Sequence, residues 1–179
     1  MSGLETSNLK EYNFQIDIEM SDLIVVGAGT LGKLVARSWK AKNPSAKITL
    51  KFRSVDKERN ALLELEGFNI ISKEKGEEGK APLVVFCAPP TGNENYADDI
   101  KQSLENHWDT GEKWKETGTA VFVFTSAGSV YAENSGGVVD EASETARTER
   151  SGKLLDGEKY VTESGGCVVR LGGLYSAER

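Results

Sequence analysis

Gly27, Gly29 and Gly32 stand at G-x-G-x-x-G spacing directly after the apolar run Leu23-Ile24-Val25-Val26, a pattern suited to holding a phosphate. A pyrophosphate reaches the backbone N–H groups of a helix N-terminus only where no Cβ stands between them. On that reasoning Gly27 makes a tight strand-to-helix turn, Gly29 admits the phosphates, and Gly32 lets the helix pack on its strand. Three spaced glycines among 19 carry little weight alone. Their flanks add to it. A buried-type strand precedes them, Leu31, Leu34, Val35 and Trp39 follow at helical spacing, and Asn43-Pro44 stops the helix. A nucleotide-binding turn is the expectation.

A site for NAD carries a carboxylate about 20 residues beyond such a turn, where it binds the ribose hydroxyls. Here the second apolar segment, residues 46–52, ends at Phe52 and runs into Arg53-Ser54. A guanidinium in place of a carboxylate suits a 2′-phosphate, so NADP(H) is expected in preference to NAD(H).

Other chemistries find less support. A Ser-His-Asp triad would have to use His107, the one histidine, which sits in a helix-like stretch beside Trp108 with no nucleophile-elbow motif. Cys87 and Cys167 fall in apolar strand-like runs and read as buried thiols rather than a disulfide or metal ligands. Cys87 ends its strand where ligands bind in α/β sheets, so a reactive thiol is the sharper reading and a structural one the simpler. Asp140 and Glu141 are adjacent, and a turn role is simpler than a shared carboxylate site.

These residues need a scaffold to position them. Strands are expected over residues 23–26, 46–52, 67–71, 83–87, 120–124 and 167–171. Helices are expected from the glycine turn to Asn43, then over 56–66, 95–108 and 153–163, the second with Leu62, Leu63 and Leu65 as its apolar side. Residues 73–80 and 109–118 read as polar connections. The unbroken apolar character of residues 83–87 fits a strand covered on both faces. Six strands alternating with helices define an α/β fold, a three-layer, doubly wound parallel sheet. Ahead of it, residues 1–20 form an N-terminal arm in which Tyr12, Phe14, Ile16 and Ile18 alternate with polar neighbours, as in a half-buried strand. Residues 12–18 are expected to pack on their own domain; the alternatives are a strand added to the sheet edge of a protein partner and a disordered extension.

Three further segments carry a resemblance. Phe124-Thr125-Ser126-Ala127-Gly128-Ser129-Val130-Tyr131 resembles the S-S-x-x-V-Y segment of extended and atypical short-chain dehydrogenase/reductases. Val138-Val139-Asp140-Glu141 matches their V-x-E turn, and Val168-Val169-Arg170-Leu171-Gly172-Gly173-Leu174-Tyr175 resembles their V-x-R-x-x-x-x-Y-G-P element. With the glycine turn and Phe86-Cys87-Ala88-Pro89-Pro90, the resemblance spans residues 22–179 and is nearest to the NAD-dependent epimerase/dehydratase-like members. It implies a Rossmann domain over residues 21–179. It also implies a dinucleotide site built from Gly27, Gly29, Thr30, Leu31, Gly32, Arg53, Ser54, Cys87, Ala88, Pro89 and Thr125.

The same resemblance exposes departures. These relatives react through Tyr-x-x-x-Lys on a helix, where the lysine lowers the tyrosine pKa and the phenol exchanges a proton with substrate. Aligning Leu154-Leu155 and Glu158 with that helix places Arg150 at the tyrosine position and Leu154 at the lysine position. Neither can transfer a proton. The assisting hydroxyl falls on Ala127, which leaves Ser126 and Tyr131 as catalytic candidates. Ser72-Lys73 stands where many relatives carry an Asp near the adenine. Extended relatives continue into a smaller lobe that closes over substrate, whereas this chain stops where that lobe would begin and is expected to hold the nucleotide half. The expected function is an NAD(P)(H)-binding Rossmann protein, NADP(H)-preferring, with weak or absent Tyr-Lys oxidoreductase chemistry. The alternative is a non-catalytic structural or interaction subunit that keeps the fold without using the cofactor.

Composition sets the outer limits. At 179 residues, 38% hydrophobic and 28% charged, the chain suits one soluble domain with a sizeable core. A net charge of −6 argues against a nucleic-acid partner. No apolar run is long enough to span a bilayer. Glu5, Glu11 and Asp17 in a stretch without an apolar core rule against a signal peptide and a typical transit peptide. The expected location is cytoplasmic or another reducing soluble compartment, an organelle stroma if a transit segment has been removed.

Overall fold

The computed structural model describes residues 21–71, 79–111 and 120–173. In chain order these form β1 (Leu23–Val26), α1 (Thr30–Lys42), β2 (Ile48–Lys51), α2 (Lys57–Leu65), β3 (Asn69–Ile71) and β4 (Leu83–Phe86). Then follow α3 (Tyr96–His107), β5 (Val121–Ala127), a 3-10 turn (Gly128–Val130), α4 (Glu149–Glu163) and β6 (Cys167–Leu171). The strands make one sheet in the order β3-β2-β1-β4-β5-β6, and every pairing is parallel. This is the doubly wound, six-stranded arrangement expected from the sequence.

Alternation along the strands divides the core in two. Ile24 and Val26 of β1 join Val84, Phe86, Phe122 and Phe124 beneath α3 and α4. Leu23 and Val25 face the other way and join Ile48 and Leu50 beneath α1 and α2. All four β1 residues are therefore buried, as a central strand covered on both faces requires. On the α3–α4 side, Phe86, Tyr96 and Phe124 form an edge-on aromatic cluster with centroids 5.8 to 6.2 Å apart. Gly157 brings α4 against that cluster: a Cβ there would lie 2.4 Å from Ile100 Cδ1.

Several local expectations differ from what forms. Leu63 is buried, but Leu62 and Leu65 of α2 are 58% and 85% exposed, because the helix turns only one of the three leucines toward the sheet. Leu34 of α1 is likewise exposed; Gly32 and Ala36 are the buried positions, with Val35 and Trp39 packed beside them. β5 continues past residue 124 because Thr125, Ser126 and Ala127 still pair with Val169, Arg170 and Leu171 of β6. α4 starts at Glu149 rather than Lys153, since Thr148 and Ser151 form a reciprocal capping box. Cys167 is exposed, at the start of the edge strand β6, while Cys87 is half-buried. The arm at residues 12–18, the Ser72-Lys73 position, most of the two polar connections and the Leu174-Tyr175 end of the last segment lie outside the described residues.

Candidate functional site

The glycine turn sits at the centre of the sheet. Gly27 has φ +83°, and a Cβ on it would lie 2.3 Å from the backbone nitrogen of Ala88, so only glycine fits the crossing of β1 and β4. Its N–H donates to the Lys51 carbonyl at 2.9 Å, locking the turn to β2. A Cβ at Gly32 would meet the Gly27 carbonyl oxygen at 2.8 Å and Val25 Cγ1 at 3.0 Å, which is the close helix-on-strand contact anticipated for that position. Gly29 differs from both. No atom lies within 4 Å of where its Cβ would be, so the glycine there keeps a space open rather than relieving a clash.

That space belongs to a cleft of about 940 Å³ along the C-terminal edge of the strands, at the switch point between β1 and β4. Of the residues expected to hold a dinucleotide, all but Ser54 line it; of the two catalytic candidates, Ser126 lines it and Tyr131 does not. Lys51, Arg53 and Arg150 bring three cations to its walls against one carboxylate, Asp99, which accepts from Asn93 Nδ2 at 2.7 Å. The cleft is thus cationic within an anionic chain.

At the β2 end Arg53 reaches across to the loop after β4, donating to the carbonyls of Pro89 and Thr91 at 3.2 Å each. Two of its five N–H groups are so used, and the guanidinium stays on the cleft wall. The next acid along the chain, Asp56, caps α2 by accepting the Arg59 N–H at 3.0 Å. Arg59 lies over the Phe52 ring at 3.8 Å and donates to the Ser54 carbonyl at 2.8 Å, bracing the turn that presents Arg53. Sequence reasoning passed over Arg59; its place in the first turn of α2, facing back to an aromatic at the strand end, was the available signal.

In and beneath the middle of the cleft the polar side chains are engaged within the protein. Burial pushes the Cys87 thiol up to about 11, a pull that the Thr125 hydroxyl only partly opposes. Thr125 Oγ1 donates to the Phe86 carbonyl at 3.0 Å. The Tyr96 hydroxyl donates to Ala88 O at 2.7 Å, and burial raises that phenol as well. His107 is fully buried at the end of α3, where Lys51 Nζ donates to its Nε2 at 2.8 Å. The ring proton then falls on Nδ1, facing Gly79 O at 3.5 Å.

At the β5–β6 end, Ser126 Oγ donates to Glu158 Oε1 at 2.5 Å. Arg170 clamps the same carboxylate, Nη2 to Oε2 at 2.7 Å and Nε to Oε1 at 3.1 Å, and lies 4.9 Å from the Tyr131 ring centre. The Glu158 bond holds the Arg170 guanidinium well above its ordinary pKa. Glu158 served in the sequence only to align α4, and Arg170 only as part of a motif. Glu158 lies one helical turn after Leu154, which marks the inward face of α4 but not the partner it meets there. Leu154 is 2% exposed and packs in the core, while Arg150, one turn earlier, reaches the cleft from an exposed position. The positions expected for Tyr and Lys do face the cleft together, carrying a guanidinium and an isobutyl group. Among the described residues no group of three or more ligating side chains could hold a metal, and no helix is long and apolar enough to cross a membrane.

No protein-family model matches the chain, and no curated protein matches it either. Solved structures do. A UDP-Glc/GlcNAc 4-epimerase from Campylobacter jejuni superposes with a TM-score of 0.60 at 17% identity, over 83% of this chain and 53% of that one. A UDP-glucuronic acid 4-epimerase from Bacillus cereus, solved in complex with NAD, gives 0.59 at 16% identity over 86% and 57%. The ADP-L-glycero-D-manno-heptose-6-epimerase of Helicobacter pylori gives 0.56 at 17% identity over 87% and 55%. The chain therefore shares the fold of these structures, and it spans about half their length.

Proposed function

We propose that this chain is a dinucleotide-binding Rossmann protein that prefers NADP(H) and has little or no Tyr-Lys-type oxidoreductase activity. The observation that carries the reading is the open space over Gly29, at the start of α1, with the Arg53 guanidinium on the same cleft wall and no carboxylate at the end of β2. A bound nicotinamide dinucleotide would supply hydride chemistry. The chain's own part is to seat the pyrophosphate on the backbone N–H groups after Gly29 and to set Arg53 against the adenosine end. The likeness to an epimerase solved with NAD supports the cofactor class, and Arg53 supports the phosphorylated form of it. Arg150 and Leu154 at the dyad positions support the loss of proton transfer.

A titration with NADPH and NADH, followed by nicotinamide fluorescence, tests this. The expected result is micromolar NADPH binding, weaker NADH binding, and an Arg53→Ala variant whose NADPH affinity falls by about tenfold or more, some 1.4 kcal/mol, with NADH unchanged. Equal affinity for both, indifferent to Arg53→Ala, would remove the NADP(H) preference. Binding of neither would favour the interaction-subunit reading, in which the fold is kept without the cofactor.

A further inference from the structure

The proposed dinucleotide occupies one part of a cleft that extends beyond it. From Arg53 past the glycine turn the cleft continues to β5, α4 and β6, where Ala127, Leu154, Leu171 and Arg150 line it. A dinucleotide with its adenosine beside β2 and its pyrophosphate on the turn brings its other end to β4 and β5. Arg150 stands past that point.

Of the polar side chains that β5 and α4 bring to the cleft wall there, one is uncommitted. The Thr125 hydroxyl is committed to the Phe86 carbonyl and the Ser126 hydroxyl to Glu158. The Arg170 guanidinium is held by the same Glu158. Of the acids on α4, Asp156 is paired with Arg147 at 2.8 Å, Glu158 with Arg170 at 2.7 Å and Glu163 with Lys159 at 3.9 Å, and Glu149 is not on the cleft wall. Arg150 has no hydrogen-bond or ion-pair partner among the described residues, and the floor beside it is apolar, with Leu154 almost fully buried. A guanidinium is permanently charged and presents a planar fork that matches a carboxylate or phosphate in two parallel bonds.

We infer that Arg150 is the anchor for an anionic small molecule, one that sets a carboxylate or phosphate on the guanidinium and an apolar body on the Leu154–Leu171 floor. This deepens the proposed function and rests on it for the place left beside the dinucleotide. Arg150 is a specificity-determining residue in this role: it selects charge, and it takes no proton.

The test is calorimetric titration with benzoate, phenyl phosphate and the neutral benzamide, on the protein alone and on protein saturated with NADPH. The two anions are expected to bind in the millimolar range and benzamide at least tenfold more weakly. Arg150→Ala should abolish that discrimination while leaving NADPH affinity within twofold. Arg150→Lys should restore part of it, and Arg53→Ala should leave it intact. The ratio of the benzoate to the phenyl phosphate constant tells which oxyanion the site favours. Equal binding of anions and benzamide, or anion binding unmoved in Arg150→Ala, overturns the inference. So does a tenfold loss of NADPH affinity in Arg150→Ala, which would place the guanidinium on the dinucleotide. Because anion binding is also read on the protein alone, a failure of NADPH to bind is separable from a failure of Arg150.

Discussion

The two ends of the cleft are built by different means. Around the glycine turn the cleft wall is backbone: Gly27 at φ +83°, the N–H groups opening α1, and a space that a single Cβ at Gly29 would begin to fill. Around β5, α4 and β6 the wall is made of side chains, Arg150 and Leu154 among them, while the nearby hydroxyl of Ser126 is turned onto Glu158. Backbone geometry is shared with the fold itself, so it persists as long as the sheet does. Side-chain chemistry can be exchanged without disturbing the sheet, provided the replacements pack. Leu154 does so at 2% exposure. The comparison teaches that one cleft can be walled by backbone at one end and by exchangeable side chains at the other.

The sharpest way to break that contrast is at Gly27. A methyl group there meets the Ala88 backbone nitrogen at 2.3 Å in a conformation that disfavours side chains, so Gly27→Ala should cost on the order of 3–5 kcal/mol or prevent folding. Gly29→Ala, by contrast, meets no protein atom within 4 Å and should change stability by less than about 1 kcal/mol while weakening NADPH binding. Urea unfolding of both variants decides it. If Gly27→Ala unfolds at the parent's midpoint, the turn is not the fixed point of the fold.

The side-chain end is tested at Glu158. Its carboxylate is 7% exposed and holds both Arg170 and Ser126, so Glu158→Ala leaves a partly buried guanidinium without its partner and should cost about 3 kcal/mol. Glu158→Gln keeps the shape and should cost less. Unfolding midpoints at neutral pH measure both. Parent-like stability in Glu158→Ala would mean the network is a surface ornament and that Ser126 is free for other work.

The same division governs what the sequence made legible. The glycine turn and the six parallel strands were readable, because backbone demands and continuous apolar strands leave local marks at Gly27, Gly32 and residues 83–86. What was missed depended on contacts between residues far apart in the chain. Nothing local says that Ser126 and Arg170 meet on Glu158, or that Arg53 bonds to carbonyls after β4. The polar letters of Thr125 and Ser126 hid the last three strand positions, residues 125–127, which only their pairing with β6 reveals. Exposure misled in the opposite direction at Leu62, Leu65 and Cys167, where apolar letters occupy helix and edge faces that no layer covers among the described residues.

Between the two ends lies Cys87, and the smallest effect expected here asks whether the floor joining them is inert. Burial lifts its pKa from the ordinary 9.0 to about 11. A group held above its unfolded pKa contributes its full stabilisation below that unfolded value and loses it as pH rises through the folded one. Stability should therefore decline by about 1–2 kcal/mol between pH 9 and 11, since the unfolded chain releases the thiol proton first. Tyr96, also raised by burial, begins to add to the same decline at the top of that range. Replacing the thiol in Cys87→Ala should flatten part of the slope in a plot of unfolding free energy against pH. In the parent at pH 8, iodoacetamide should modify the exposed Cys167 well before Cys87, because only the thiolate reacts and this one is kept protonated. Rapid modification of Cys87 in the folded protein would reverse the conclusion: the centre of the cleft would then hold a nucleophile, and the division between a backbone end and a side-chain end would no longer describe it.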